Sequence, residues 1–164
     1  MHISFRAAVK EDAETLIQIY NAAFYSDFVR YGACPAYGRT REMMEASIAK
    51  TTKYLILCDQ LPVGVVSYEN QGGGNYYLGC LCVIPEYQGR GLGSRAFCHM
   101  CEVCTDWKRI TLVTPVDKEE NIRFYTEKCG FSQGANRPSR KAAQVHCRKV
   151  LRRHIAQGRK GRRP

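Results

Sequence analysis

The residues with the most chemical content are Gln88-Gly-Arg-Gly-Leu-Gly-Ser94. They follow the apolar run Leu81-Cys-Val-Ile84, and together the two read as a strand entering a glycine-rich turn that opens a helix. The first turn of a helix carries N–H groups without intrahelical partners and the positive end of the macrodipole, so this order of elements makes an anion site. Gly89, Gly91 and Gly93 let a phosphate approach the backbone without meeting a Cβ atom, and Arg90 adds positive charge. A tight turn that holds nothing would use the same glycines. The loop is not a P-loop, because no Gly-Lys-Ser/Thr follows, and its third glycine stands too close to the second for the dinucleotide fingerprint.

A second block, Asp117-Lys-Glu-Glu-Asn-Ile-Arg-Phe-Tyr-Thr-Glu-Lys-Cys-Gly-Phe131, comes just after the apolar run Ile110-Thr-Leu-Val-Thr114. Ile122, Phe124, Tyr125 and Cys129 fit an amphipathic helix that begins near Asp117 and stops at Gly130. Taken alone, Tyr125 reads as a packed helix tyrosine. Several features taken together resemble the GNAT superfamily of N-acetyltransferases across residues 3 to 131. They are the Q-x-x-G-x-G spacing of Gln88 to Gly93, the Val-Ile-Pro-Glu-Tyr before it, and the pairs Phe124-Tyr125 and Gly130-Phe131.

That resemblance implies an α/β fold with a mixed, mostly antiparallel central sheet flanked by helices. It also implies acetyl-CoA as co-substrate, with no metal. The pantetheine arm would bond to the backbone of Leu81, Cys82 and Val83, where a strand splays from its neighbour. The pyrophosphate would lie on the N–H groups of Gln88, Gly89, Arg90, Gly91, Leu92, Gly93 and Ser94. Acetyl transfer needs a neutral amine held against the thioester, stabilisation of the oxyanion, and a proton for the departing thiolate. Tyr125 matches the family's general acid. The acceptor would be a primary amine of a small molecule or peptide, and a second copy of the chain in a homodimer is a further partner. Glu69 and Glu86 are candidate bases, although an exposed glutamate is more often a solvated charge. The family's cofactor-contacting asparagine falls seven residues before the tyrosine, where Lys118 stands here. Asn121, four before, shares a helical face with Tyr125 and is assigned to the cofactor.

The elements that must position these groups alternate between strand and helix. Ile3 to Arg6 reads as a strand and Glu11 to Phe24 as an amphipathic helix, with Leu16, Ile17, Tyr20 and Phe24 on one side. A polar, aromatic segment, Tyr25 to Arg41, leads to a helix around Arg41 to Lys50. Tyr54 to Cys58 and Val63 to Tyr68 are strands joined by a hairpin turn at Asp59-Gln-Leu-Pro62, and the turn Gln71 to Asn75 feeds a strand from Tyr76 to Ile84. Phe24, Tyr25, Phe28, Tyr31, Tyr37, Tyr76 and Tyr77 could cradle an acceptor, although aromatics in such number are more often core.

At 164 residues the chain fits one domain, and no apolar run reaches the roughly 20 residues of a membrane span. Met1 to Arg6 is not a signal peptide, which points to the cytoplasm. Nine cysteines, an odd number without an export signal, read as free thiols. Cys98, Cys101 and Cys104 form a C-x2-C-x2-C run, but it lies within a helix and lacks the C-x3-C-P element of an iron–sulfur site, so packing is the expected role. Cys80 and Cys82 alternate along a strand and face one way.

Charge divides the chain at Phe131. Residues 1–130 carry 14 Lys/Arg against 15 Asp/Glu, whereas 131–164 carry 11 Lys/Arg and no acid, which accounts for the whole net charge of +10. The expected organisation is an acetyltransferase domain over 1–131, then a basic tail over 132–164 in place of the family's last strands, with Arg140 to Ile155 fitting a helix at least as well as a strand. Three readings of the tail stand: a solvated extension, a segment that binds nucleic acid or another polyanion, or a C-terminus replaced through a shifted reading frame. Under the second, the protein would be a nucleic-acid binder with a vestigial or sensory acyl-CoA fold.

Overall fold

In β2 (Thr52–Cys58) and β3 (Leu61–Gly72), Leu55, Leu57 and Val65 point to one side while Ile56, Val66 and Tyr68 point to the other, and all are buried. A sheet apolar on both faces must be covered on both. In the computed structural model, which describes residues 1–138 and 143–150, helices meet that need. The order is β1 (Ile3–Ala7), α1 (Ala13–Tyr31), α2 (Arg41–Lys50), β2, β3, β4 (Asn75–Val83), α3 (Leu92–Val103), β5 (Arg109–Pro115), α4 (Glu119–Arg123), β6 (Ser132–Pro138) and β7 (Ala143–Val150). α1 and α2 bury Leu16, Ile19, Tyr20 and Met44 on one face. α3 buries Leu92, Ala96, Phe97 and Met100 on the other, together with Phe131.

The sheet runs β1-β2-β3-β4-β5-β7-β6, and every neighbouring pair is antiparallel except β4 with β5. This is the expected mixed, mostly antiparallel α/β fold. The β2–β3 connection turns through Asp59 and Gln60, both at positive φ, which is the two-residue hairpin geometry that matches strand twist. β4 and β5 pair only over Asn75–Tyr77 with Arg109–Thr111. Beyond that point no β4–β5 pairing continues, and among the described residues one edge of Leu78–Val83 has no strand partner.

Three expectations are revised. α1 does not end at Phe24; no glycine or proline interrupts the chain until Gly32, whose N–H caps the helix on the Phe28 carbonyl (2.9 Å). The helix expected over Asp117 to Gly130 is a short α4 followed by a π-helical turn at Phe124–Lys128. The helical reading of Arg140 to Ile155 gives way, over Ala143–Val150, to a strand pairing with β5 along Arg109–Pro115, and Ser132–Pro138 adds an edge strand beside it. A free β5 edge supplies backbone partners that a solitary basic segment lacks. Residues 139–142 and 151–164, the greater part of the basic tail among them, lie outside the described residues. No helix among the described residues is long and apolar enough to cross a membrane.

Candidate active site

A cleft of about 510 Å³ opens beside the edge of β4 that β5 leaves uncovered. Four pieces of chain line it: Leu81, Cys82 and Val83 of β4; Tyr87 to Gly89 and Gly91 to Ser94 at the start of α3; Lys118, Asn121, Phe124, Tyr125 and Lys128 around α4; and Ala23, Phe24 and Asp27 of α1. Of the assigned residues, only Arg90 is missing from this lining. Its guanidinium folds back to donate to the Glu86 carbonyl (2.9 Å) and lies 4.8 Å from the centre of the Tyr87 ring.

The glycines of the loop have separate reasons. Gly91 is the N-cap of α3 at φ +76, a conformation that side chains rarely adopt, and a Cβ there would project into open space with nothing within 4 Å. Gly93 lies inside the helix, where a Cβ would come 3.1 Å from Cζ of Phe124, so it lets α3 approach the α4 segment closely. The cleft beside the first turn of α3 is thus free of side chains from Gly89 and Gly91, a shape that suits a phosphate group. Gln88 is tied down, because its side-chain amide donates to the Val83 carbonyl (2.8 Å) where β4 ends.

Tyr125 sits in the π-helical turn, half-buried, with its ring edge-on to Phe124 (5.1 Å) and Phe131 (5.8 Å). The widened turn is closed by Cys129 N–H on the Phe124 carbonyl and Phe131 N–H on the Tyr125 carbonyl. Such bulges within helices are often found at functional sites. Asn121 lines the same cleft, and its side-chain amide donates to Thr114 Oγ1 of β5 (3.3 Å). Leu81–Val83, the glycine loop and Tyr125, remote in sequence, thus share one cavity.

The sequence profile of the Acetyltransferase (GNAT) family matches residues 13–131. The chain belongs to the GNAT acetyltransferase family. No curated protein sequence matches it. Solved structures similar to this acetyltransferase include an acetyltransferase from Thermus thermophilus, with TM-score 0.75 and 18% identity, covering 92% of this chain and 98% of that one. Another is the PaiA N-acetyltransferase of Thermoplasma acidophilum in complex with coenzyme A, at 0.74 and 16%, covering 89% and 98%. A third is a GNAT acetyltransferase from Streptococcus pneumoniae, at 0.69 and 17%, covering 92% and 100%. At such identities the likeness is one of fold. Family and fold together make the chain an acetyl-CoA-dependent acetyltransferase.

Sequence reasoning missed the wall of this acetyltransferase's cleft that α1 supplies. Asp27 forms an ion pair with Lys118, and both side chains are largely buried, 13% and 15% exposed. Next to it, Arg30 pairs with Asp117 at 3.0 Å, and the Tyr31 hydroxyl donates to Asp117 Oδ1 at 2.8 Å. These contacts hold the Asp117 carboxyl below its ordinary range, the Tyr31 hydroxyl foremost; burial, then Asp117, pushes the Tyr31 phenol up to about 12. The signal for this seam was the i, i+4 spacing of Ala23 and Asp27 on a helix long enough to carry both.

The aromatics named for the acceptor divide. Phe24 lines the cleft; Phe28 stacks on Tyr37 (4.5 Å), with Tyr25 against the same ring; Tyr31 serves the α1 seam. Tyr76 is core, donating to Asp106 Oδ1 (2.6 Å), and Tyr77 is half-buried opposite Glu69 in the β3–β4 ladder. Neither Glu69 nor Glu86 is among the residues that line the cleft. Cys82 does line it, with Cys80 packed against the same α1-side core. Nearby, the buried Lys53 ammonium, 4% exposed, donates to Thr51 Oγ1 (2.8 Å) and Ser67 Oγ (2.9 Å), and burial brings its pKa down to about 8. Along α3, Cys98 is exposed, Cys101 half-buried and Cys104, at its end, buried. Among the described residues no three His, Cys, Asp or Glu gather where they could hold a metal ion.

Proposed function

We propose that this acetyltransferase is an N-acetyltransferase that moves the acetyl group of acetyl-CoA directly onto a primary amine of a small molecule or peptide. The observation that carries this reading is the convergence of the glycine cradle, the uncovered β4 edge and the Tyr125 hydroxyl-bearing turn on one cleft.

In this reading the first-turn N–H groups from Gly89 to Ser94 hold the pyrophosphate, and the backbone of Leu81 to Val83 takes the pantetheine arm as an added strand would. The thioester carbonyl then lies against the same strand, where a backbone N–H can receive the oxyanion. The acceptor ammonium first gives one proton to water. Its nitrogen attacks the carbonyl carbon, the N–C bond forms, and the C–S bond breaks. Tyr125 delivers a proton to the departing sulfur, and the nitrogen sheds its excess proton to restore the phenol. The products are an amide, free coenzyme A and one proton in solution, so the charges balance. Arg90, turned onto Tyr87, supports the loop rather than the phosphate.

Tyr125→Phe tests the assignment, with acetyl-CoA binding followed by calorimetry and turnover followed by release of free thiol. The expected result is unchanged affinity and a turnover lower by about 10²–10⁴-fold, the range for losing a general acid. Full turnover in the variant would overturn the role of Tyr125, and a wild-type protein that does not bind acetyl-CoA would overturn the reading as a whole.

A further inference from the structure

We propose that Asp27 is the docking carboxylate for the acceptor, an alkylammonium that takes the place of the Lys118 side chain on Asp27 and gives its proton to water before its nitrogen turns to the thioester. The inference rests on the N-acetyltransferase reading of the cleft and adds to it a substrate class and a residue. Asp27 is the one carboxylate among the described residues that line the cleft, and it shares that cleft with Tyr125. Its occupant is already an ammonium on a four-carbon chain, the Lys118 side chain, seated there with both partners largely buried. The slot therefore admits the chemical group that a primary amine acceptor must present.

The walls suit it as well. Phe24, Phe124 and Tyr125 line the same cleft, and aromatic side chains suit both an alkyl stem and a cation. Exchange of one ammonium for another leaves no buried charge unpaired, so the large cost of breaking a buried ion pair does not arise. Lys118 competes from a tether, at an effective concentration on the order of millimolar, so acceptor affinity is set in the same range unless the acceptor brings further contacts. If the Asp27–Lys118 pair were only a brace, removing either end would weaken the site in the same direction. A docking role predicts opposite directions.

The experiment is calorimetric titration of n-butylamine, which reproduces the Lys118 side chain, into the full-length protein saturated with coenzyme A. The preceding coenzyme A titration separates the two readings, since its failure would sink the acetyltransferase site itself. Lys118→Ala is expected to bind n-butylamine at least tenfold tighter than wild type, and Lys118→Ala with Asp27→Asn to lose that gain. n-Butanol should bind neither. Lys118→Met, which keeps the apolar stem, guards against an unfolded alanine variant and should also gain affinity, though less. Equal n-butylamine affinity in wild type and both Lys118 variants, or a gain that survives Asp27→Asn, would overturn the proposal.

Discussion

Gly91→Glu separates the phosphate cradle from the fold that carries it. A Cβ at Gly91 meets nothing within 4 Å, so the cost to the fold is the left-handed backbone at φ +76. That cost is roughly 1–2 kcal/mol for a residue with a side chain. A carboxylate at a helix N-terminus returns about 0.3–1 kcal/mol of it. A net loss near 1 kcal/mol lowers Tm by about 2–4 °C in a chain of this size, which leaves the protein folded. Binding suffers more. One negative charge about 5 Å from another, at an effective dielectric near 20, costs about 3 kcal/mol. That corresponds to roughly a hundredfold in Kd for acetyl-CoA. Gly72→Glu is the matched control: Gly72 has φ +82 and equally open space, but it ends β3 away from the cleft. Calorimetric titration with acetyl-CoA, alongside thermal melts of both variants, makes the comparison. If Gly91→Glu binds within threefold of wild type, the cradle does not hold the phosphates; if Gly72→Glu loses as much affinity, strain and not charge is the cause.

Two further outcomes follow from the sheet. A Cβ at Gly64 would come 2.5 Å from the Cys82 carbonyl oxygen and 2.9 Å from Ile56 Cδ1, so Gly64→Ala must move β3 and β4 apart beside the cleft. It should cost about 1–3 kcal/mol of stability, read as a lower urea midpoint, and should weaken acetyl-CoA binding too; an unchanged midpoint would refute it. Lys53 gives a pH signature, because its ammonium is held down to about 8 in the folded chain against an ordinary 10.5. Between those values the unfolded chain carries the proton and the folded one does not. Stability from this site is therefore full above about 10.5 and is lost as pH falls through about 8. Urea unfolding of wild type and Lys53→Met from pH 7 to 10 should show wild type gaining on the variant across that window, whereas parallel curves would refute the shift.

What the sequence disclosed and what it hid follow a physical division. The loop from Gln88 to Ser94 was legible because glycine spacing reports backbone geometry directly, and the N-cap at Gly91 has the positive φ that only such a residue takes easily. The β2–β3 hairpin was legible because its turn is local, although strand periodicity placed the start of β3 at Val63 and the ladder starts it at Leu61. The π-helical turn at Tyr125 was not legible, since the choice of an i+5 bond from Cys129 to the Phe124 carbonyl over the i+4 bond of an α-helix leaves no mark in side-chain periodicity. The strand over Ala143–Val150 was hidden for a similar reason: its basic, mixed pattern suits two periods, and the β5 edge that decides between them lies elsewhere in the chain. Local chemistry could be read, and partner-dependent structure could not.

The acceptor wall shows the same division within a single helix. Lys118 could be seen to stand where the family resemblance places an asparagine, seven residues before Tyr125, but the meaning of that departure lay in Asp27, far away in sequence. Lys118 reaches α1 through Asp27, and Asn121 reaches β5 through Thr114, so the two residues tie the α4 segment to opposite neighbours. A helix that stopped at Phe24, as the sequence suggested, would end before Asp27 and leave Lys118 without its counter-charge. The two helical turns that carry α1 on to Tyr31 are therefore what put a carboxylate into the cleft, a charge that neither the glycine loop nor Tyr125 could supply.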